Sequence, residues 1–139
     1  MLETASRLRL AIVRTARRMR QEAGTDLSPT LAAALATIER HGPLTPSELA
    51  AIERVKRPTA TRVATSLESE ELIVRAPDPS DGRGALLSIS PRGRDLLRRL
   101  RKRKNAYLSR RLRELDDGDV EALERAAEVL ERMLEGEVP

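Results

Sequence analysis

The chain has 139 residues, 40% of them hydrophobic, and a formal net charge of +4. It has no cysteine, one histidine, one Tyr and neither Phe nor Trp, which excludes a disulfide framework, thiolate zinc sites and thiol redox chemistry and argues against a multi-histidine metal centre or a His-dependent triad. A single domain, 1–139, is expected, with a modest core of Leu, Val, Ile and Ala.

The charge is unevenly spread. Residues 53–104 hold 14 basic and 7 acidic groups, whereas residues 105–139 hold 5 basic and 10 acidic. A localised cation points to an oriented polyanion partner. Arg7 and Arg9 are not followed by a continuous apolar run, so neither a signal peptide nor a membrane span is expected. The expected location is the cytoplasm.

In chain order, residues 2–23 read as a helix, with Leu2, Ala5, Leu8, Ile12, Ala16, Met19 and Ala23 recurring every three or four positions. Gly24 ends it. Ser28-Pro29, Thr45-Pro46 and Ser90-Pro91 each offer a hydroxyl N-cap followed by proline at the first helical position. Glu48 completes a capping box with Thr45. The first of these helices spans roughly 29–41, with Leu31, Ala34, Leu35 and Ile38 on one face, and His41-Gly42-Pro43 stops it. The second covers roughly 46–52.

A turn near Glu53-Arg54-Val55 leads to a third helix, roughly 57–70, whose Ala60, Val63, Ala64 and Leu67 form an inward stripe. Residues 72–75 and 85–89 read as two strands, and the segment between them, with two Pro and two Gly, reads as a hairpin loop. No other part reads as sheet. A long helix follows from Pro91 to about Arg113, carrying Leu96, Leu97, Leu100, Tyr107, Leu108 and Leu112. Asp116 caps a last helix, 117–135, lined by Val120, Leu123, Ala127, Leu130 and Leu134. The fold class is therefore mainly α with a small β-hairpin: a winged helix-turn-helix over 28–90, flanked by helical dimerisation regions at 1–24 and 91–139. Three long amphipathic helices around so small a unit imply a homodimer.

The chain resembles the MarR-type (multiple-antibiotic-resistance regulator) winged-helix family. The resemblance is carried by Leu44-Thr45-Pro46-Ser47-Glu48-Leu49-Ala50, by Arg57-Pro58-Thr59 with Thr61-Arg62, by Asp78-Pro79 and Asp81-x-Arg83, and by Leu87-x-Ile89-Ser90-x-x-Gly93. Five positions depart from the pattern. Arg54 stands where the family commonly has the glycine of the turn, and Lys56 stands where a Ser or Thr commonly caps the recognition helix. Glu70-Glu71 close that helix in place of glycine, and Gly82 replaces an arginine of the wing.

The resemblance implies a transcriptional regulator, a repressor acting as a homodimer on a pseudo-palindromic operator in double-stranded DNA. It further implies release by a small phenolic or carboxylate effector between the dimer helices and the DNA-binding unit, with Tyr107 lining that site or filling the dimer core. With one Tyr for aromatic stacking, repression without an effector stays open, and the ligand-binding residues are unknown. No metal and no cofactor are expected.

In a helix-turn-helix the second helix enters the major groove. Pro58, Thr61, Arg62 and Thr65 face away from the core stripe, with Thr59 beside them in the same interface. Arg62 is expected to read a base edge, and Thr61 a thymine methyl or a phosphate. Lys56, Arg57 and Thr65 are expected to hold phosphates. Thr45 is a cap or a backbone donor. At the wing, Arg83 is expected in the minor groove. Asp81 would hold Arg83 or cap the loop, and Gly82 and Gly84 would bend the tip through positive φ.

Two rival classes differ. An enzyme needs a nucleophile–base pair, a metal cluster or a phosphate loop, and none is read here; Gly82-x-Gly84 lies between strands, and the carboxylates Asp116, Asp117 and Asp119 mark a helix start. A winged-helix module for RNA or protein would serve without operator DNA, but RNA recognition draws on exposed aromatics.

Overall fold

The computed structural model describes residues 1–24 and 27–137. The element order is α1 (Leu2–Ala23), α2 (Pro29–His41), α3 (Pro46–Glu53), α4 (Arg57–Ser69), β1 (Ile73–Asp78), β2 (Asp81–Ile89), α5 (Pro91–Arg113) and α6 (Asp117–Glu135). Two compact units result. One contains α2 through β2 with the Pro91–Arg99 part of α5; the other contains α1, α5 from Leu100 onward, and α6. No helix among the described residues is long and apolar enough to cross a membrane.

The helix starts follow their local chemistry. Ser28 Oγ accepts from the Leu31 N–H at 3.2 Å, Thr45 Oγ1 from Glu48 N–H at 3.1 Å, and Asp116 Oδ1 from Asp119 N–H at 2.8 Å. Each satisfies a donor that the helix itself leaves orphaned. At Thr45 the box differs in one detail: the hydroxyl also donates to Glu48 Oε1, at 3.1 Å, so the carboxylate takes the side chain of its cap.

In the first unit, α2, α3 and α4 pack together and against the hairpin. Leu35, Ile38, Leu44, Leu49, Leu67, Ile73 and Leu87 are fully buried there. Small residues let the helices approach: Ala34, Ala60 and Ala64 are 2% exposed or less.

The sheet is larger than the expected pair of strands. Leu44 forms an antiparallel bridge with Leu87, its N–H donating to the Leu87 carbonyl at 3.1 Å and its own carbonyl accepting from Leu87 N–H at 2.7 Å. This third, single-residue strand lies outside the region read as sheet; the Gly42-Pro43 peptide, which is cis, leads into it. A side chain at Gly42 would strike the Ile38 carbonyl, so glycine is needed for the close approach. The segment read as a hairpin loop is also mostly strand. β1 runs to Asp78 and β2 begins at Asp81, so only Pro79-Ser80 turn. The register slips between Pro77, opposite Ala85, and Asp78, opposite Asp81. Residues 82–84 therefore bulge from β2.

Both helices of the helix-turn-helix end in the same way. Arg54, at φ 55°, and Glu71, at φ 62°, are the described non-glycine residues with left-handed backbone. After Arg54, Val55 N–H donates to the Ala50 carbonyl at 3.0 Å; after Glu71, Leu72 N–H donates to the Leu67 carbonyl at 3.0 Å. Each pattern is a Schellman motif, in which glycine is the usual left-handed residue. Two of the departures from the family pattern, Arg54 and Glu71, thus sit at positions where a Cβ is costly.

In the other unit, Ala23 is the buried residue of α1, and α6 has none. Arg103 Nη1 donates to the Ala23 carbonyl at 2.9 Å, satisfying the end of α1. The apolar stripes expected on these helices form, but they face outward: Leu8 is 48% exposed, Ile12 47%, Leu123 49% and Leu134 66%.

Candidate nucleic-acid interface

α4 supplies the candidate reading surface. Ala60, Ala64 and Leu67 are buried and Val63 half-buried, so the opposite side of the helix is fixed outward. Lys56, Arg57, Pro58, Thr61, Arg62 and Thr65 are all exposed. Lys56 caps the helix in backbone geometry only, at φ −72° and ψ 150°, with no side-chain hydrogen bond to the first turn. Its ammonium, the Arg57 guanidinium and the Arg62 guanidinium have no ion-pair partner among the described residues. Two unneutralised cations at the helix start, where the dipole is also positive, with Arg62 in the second turn, make an anion-attracting end.

The hydroxyls of α4 divide. Thr61 is open to solvent. Thr65 Oγ1 donates to the Thr61 carbonyl at 2.9 Å, so its proton is engaged within the helix and a phosphate would have to displace that bond. Thr59 is half-buried on the flank facing α2, and its hydroxyl receives a long 3.4 Å contact from Arg62 Nη2 of the exposed group. Thr45, with its hydroxyl both donating to and accepting from Glu48, is satisfied as a cap.

At the wing, the residue that organises the turn is Asp78, which sequence reading left in the family pattern without a role. Its Oδ1 accepts from Ser80 N–H at 2.9 Å and from Ser80 Oγ–H at 2.8 Å. These bonds, with a further one from the Asp81 N–H, hold its carboxyl below the usual 3.8. The Asx-turn signal of Asp before Pro-Ser was available in the sequence. Asp81 starts β2. The expected reason for the wing glycines is corrected: neither Gly82 nor Gly84 has positive φ. At Gly84 a Cβ would lie 3.2 Å from Asp78 Cβ, tight enough that the Asp78 side chain would have to give by a few tenths of an ångström; at Gly82 a Cβ would meet nothing within 4 Å. The Arg83 backbone lies in β2, and its side chain is outside the described residues.

The wing is tied to α4. Arg75 Nε donates to Glu68 Oε2 at 2.8 Å, linking β1 to the last turns of the helix and neutralising that cation. Ser90 closes the base: its N–H donates to the Leu72 carbonyl, and its hydroxyl accepts from Gly93 N–H at 3.0 Å to cap α5. A side chain at Gly93 would collide with the Leu72 carbonyl.

The arrangement has known counterparts. The family model for the MarR family matches residues 27–84. An HTH-type transcriptional regulator of Mycobacterium tuberculosis is 36% identical over 127 residues, covering 91% of this chain and 89% of that protein. A crystallised protein of Pseudomonas aeruginosa superposes with a TM-score of 0.87 at 32% identity, over 96% of this chain and 94% of that one. A Staphylococcus aureus MepR variant bound to an oligodeoxyribonucleotide shares the fold, with a TM-score of 0.70 at 19% identity over 96% of each chain. With its cationic helix, its hairpin and relatives matching along nearly its whole length, the chain belongs to the MarR family of helix-turn-helix transcriptional regulators and is a DNA-binding regulator of transcription.

Proposed function

We propose that this regulator is a cytoplasmic repressor that grips a pseudo-palindromic operator as a homodimer and is released by a small-molecule effector. The observation that carries DNA gripping is the exposed, unpaired cation set Lys56, Arg57 and Arg62 on a helix whose other side is buried. Arg62 reads a guanine edge through a bidentate pair, worth ~1–3 kcal/mol of discrimination. Lys56 and Arg57 hold phosphates and set register. Arg83, on the bulged part of β2, enters the minor groove.

Dimerisation is supported by the outward apolar faces of α1 and α6, which a lone chain leaves wet. Charge supports it as well. α6 carries seven acidic and two basic side chains, and α1 six arginines and two glutamates. Two copies would set their recognition helices into half-sites ~34–36 Å apart.

Selection of bound duplexes from a random pool by the purified protein tests this reading. A two-fold motif with affinity falling ~10³–10⁵-fold between 50 and 200 mM salt is the expected result, as for 6–10 phosphate contacts. A protein that enriches no duplex, or binds without salt dependence, overturns it.

A further inference from the structure

Behind the reading surface, α2, the end of α3 and the flank of α4 enclose a pocket of about 320 Å³. Its walls are mainly apolar, with Ala33, Val55 and Val63 among them, and its polar groups are Thr30, Glu53 and Thr59. That volume and balance are those of a site for a small organic molecule. Glu53 decides which kind. Its carboxylate is half-buried and has no ion-pair partner among the described residues. Thr37 Oγ1 donates to Glu53 Oε2 at 2.8 Å, which orients the carboxylate and leaves Oε1 with an open acceptor. The Glu53 carboxylate and the Thr30 hydroxyl on an apolar wall offer acceptors to the N–H donors of an ammonium carried on an apolar body, and the Thr59 hydroxyl, which takes a long 3.4 Å contact from Arg62 Nη2, offers its remaining lone pair. An anion of the same size would meet an unneutralised like charge.

We propose that this pocket binds a small organic cation, a primary alkyl- or arylalkylammonium, with Glu53 as its counter-ion. Thr59, Ala60 and Val63 belong both to the pocket wall and to α4, so an occupant bears directly on the helix that reads DNA. The link from occupancy to operator affinity rests on the function proposed above; the binding site itself does not.

The test uses the full chain with ¹³C-methyl-labelled valine, titrated with benzylammonium and, separately, with benzoate at equal ionic strength. Saturable shifts of the Val55 and Val63 methyls with benzylammonium alone are expected. Glu53→Gln should weaken that binding about tenfold. Ala33→Phe, which fills the pocket from an exposed position, should abolish it while the thermal melt stays cooperative. Equal shifts with benzoate, undiminished binding by Glu53→Gln, or shifts confined to other methyls would overturn the site. In a second arm, benzylammonium should lower duplex affinity for the wild type and not for Ala33→Phe. Binding of the amine with duplex affinity unchanged overturns the coupling to α4 and leaves the function proposed above untouched.

Discussion

The Ser90 hydroxyl donates to the Glu71 backbone carbonyl at 2.6 Å. The same oxygen accepts from Gly93 N–H, so one side chain caps α5 and satisfies the peptide that follows α4. Ser90 is 6% exposed, so its hydroxyl is largely shielded from water, while Glu71 is exposed. Ser90→Ala removes a cap and takes the donor from a part-buried carbonyl, and should cost about 1–2 kcal/mol of unfolding free energy in a urea melt. A loss below about 0.5 kcal/mol, the range of ordinary surface changes, would show that the two bonds matter little.

The left-handed residues make the opposite kind of prediction. Arg54→Gly and Glu71→Gly should each raise stability by about 0.5–1 kcal/mol, because glycine meets no Cβ penalty at these angles. Arg92 lies 3.7 Å from the Glu71 carboxylate, but both side chains are exposed and the pair's loss is minor. Thermal melts of the two variants check this; a lowered midpoint in both would contradict the strain assigned to these positions.

At the DNA surface, substitutions should separate by role. Arg62→Ala should relax base preference at one position of each half-site and cost about tenfold or more in specific affinity. Lys56→Ala and Arg57→Ala should weaken all duplexes alike and flatten the salt dependence by about one unit each for every copy bound. Anisotropy titrations on selected and scrambled duplexes distinguish the two patterns. Identical behaviour of all three variants would remove the division between reading and holding.

Much of this was legible before any coordinates. The Ser-Pro and Thr-Pro starts are local chemistry, decided within one turn of helix, and they fall where expected. The stripe of Ala60, Ala64 and Leu67 is equally local. Leu44 was not legible, because a one-residue strand has no periodicity and its partner Leu87 is remote in sequence. The wing misled for another reason: Pro and Gly between two strands suggested a loop, but Pro79-Ser80 make the whole turn and the glycines lie within β2. Thr59 was grouped with the interface because it neighbours exposed residues; the packing of α2 on α4 is what half-buries it.

Acid should act on the wing through Asp78. Its carboxyl is depressed below 3.8 by the Ser80 donors, so its contribution is complete above the unfolded-state value and disappears as pH falls through the lower folded value. The Ser80 amide shift should follow that titration, with its midpoint below 3.8. Asp78→Ala should remove this transition and disorder the turn at every pH. A midpoint at or above 3.8 would mean that the Ser80 bonds do not persist in solution.

The apolar faces of α1 and α6 predict self-association. Leu123→Glu places a charge on a face that is 49% exposed in the single chain, so it should leave folding intact and shift sedimentation to the monomer. A variant that sediments as a dimer would mean that α6 is not part of the contact.

Glu68 and Arg75 join the last turns of α4 to the first strand, and Leu72 spans the short path between them as the closing residue of the helix. No slack segment separates the two. With the helix and the hairpin in neighbouring grooves, as proposed above, a tilt of one would carry the other with it, and an operator whose grooves are too wide or too narrow could not be met by adjusting one alone. Discrimination between DNA shapes would then be shared between parts of the molecule that touch different nucleotides.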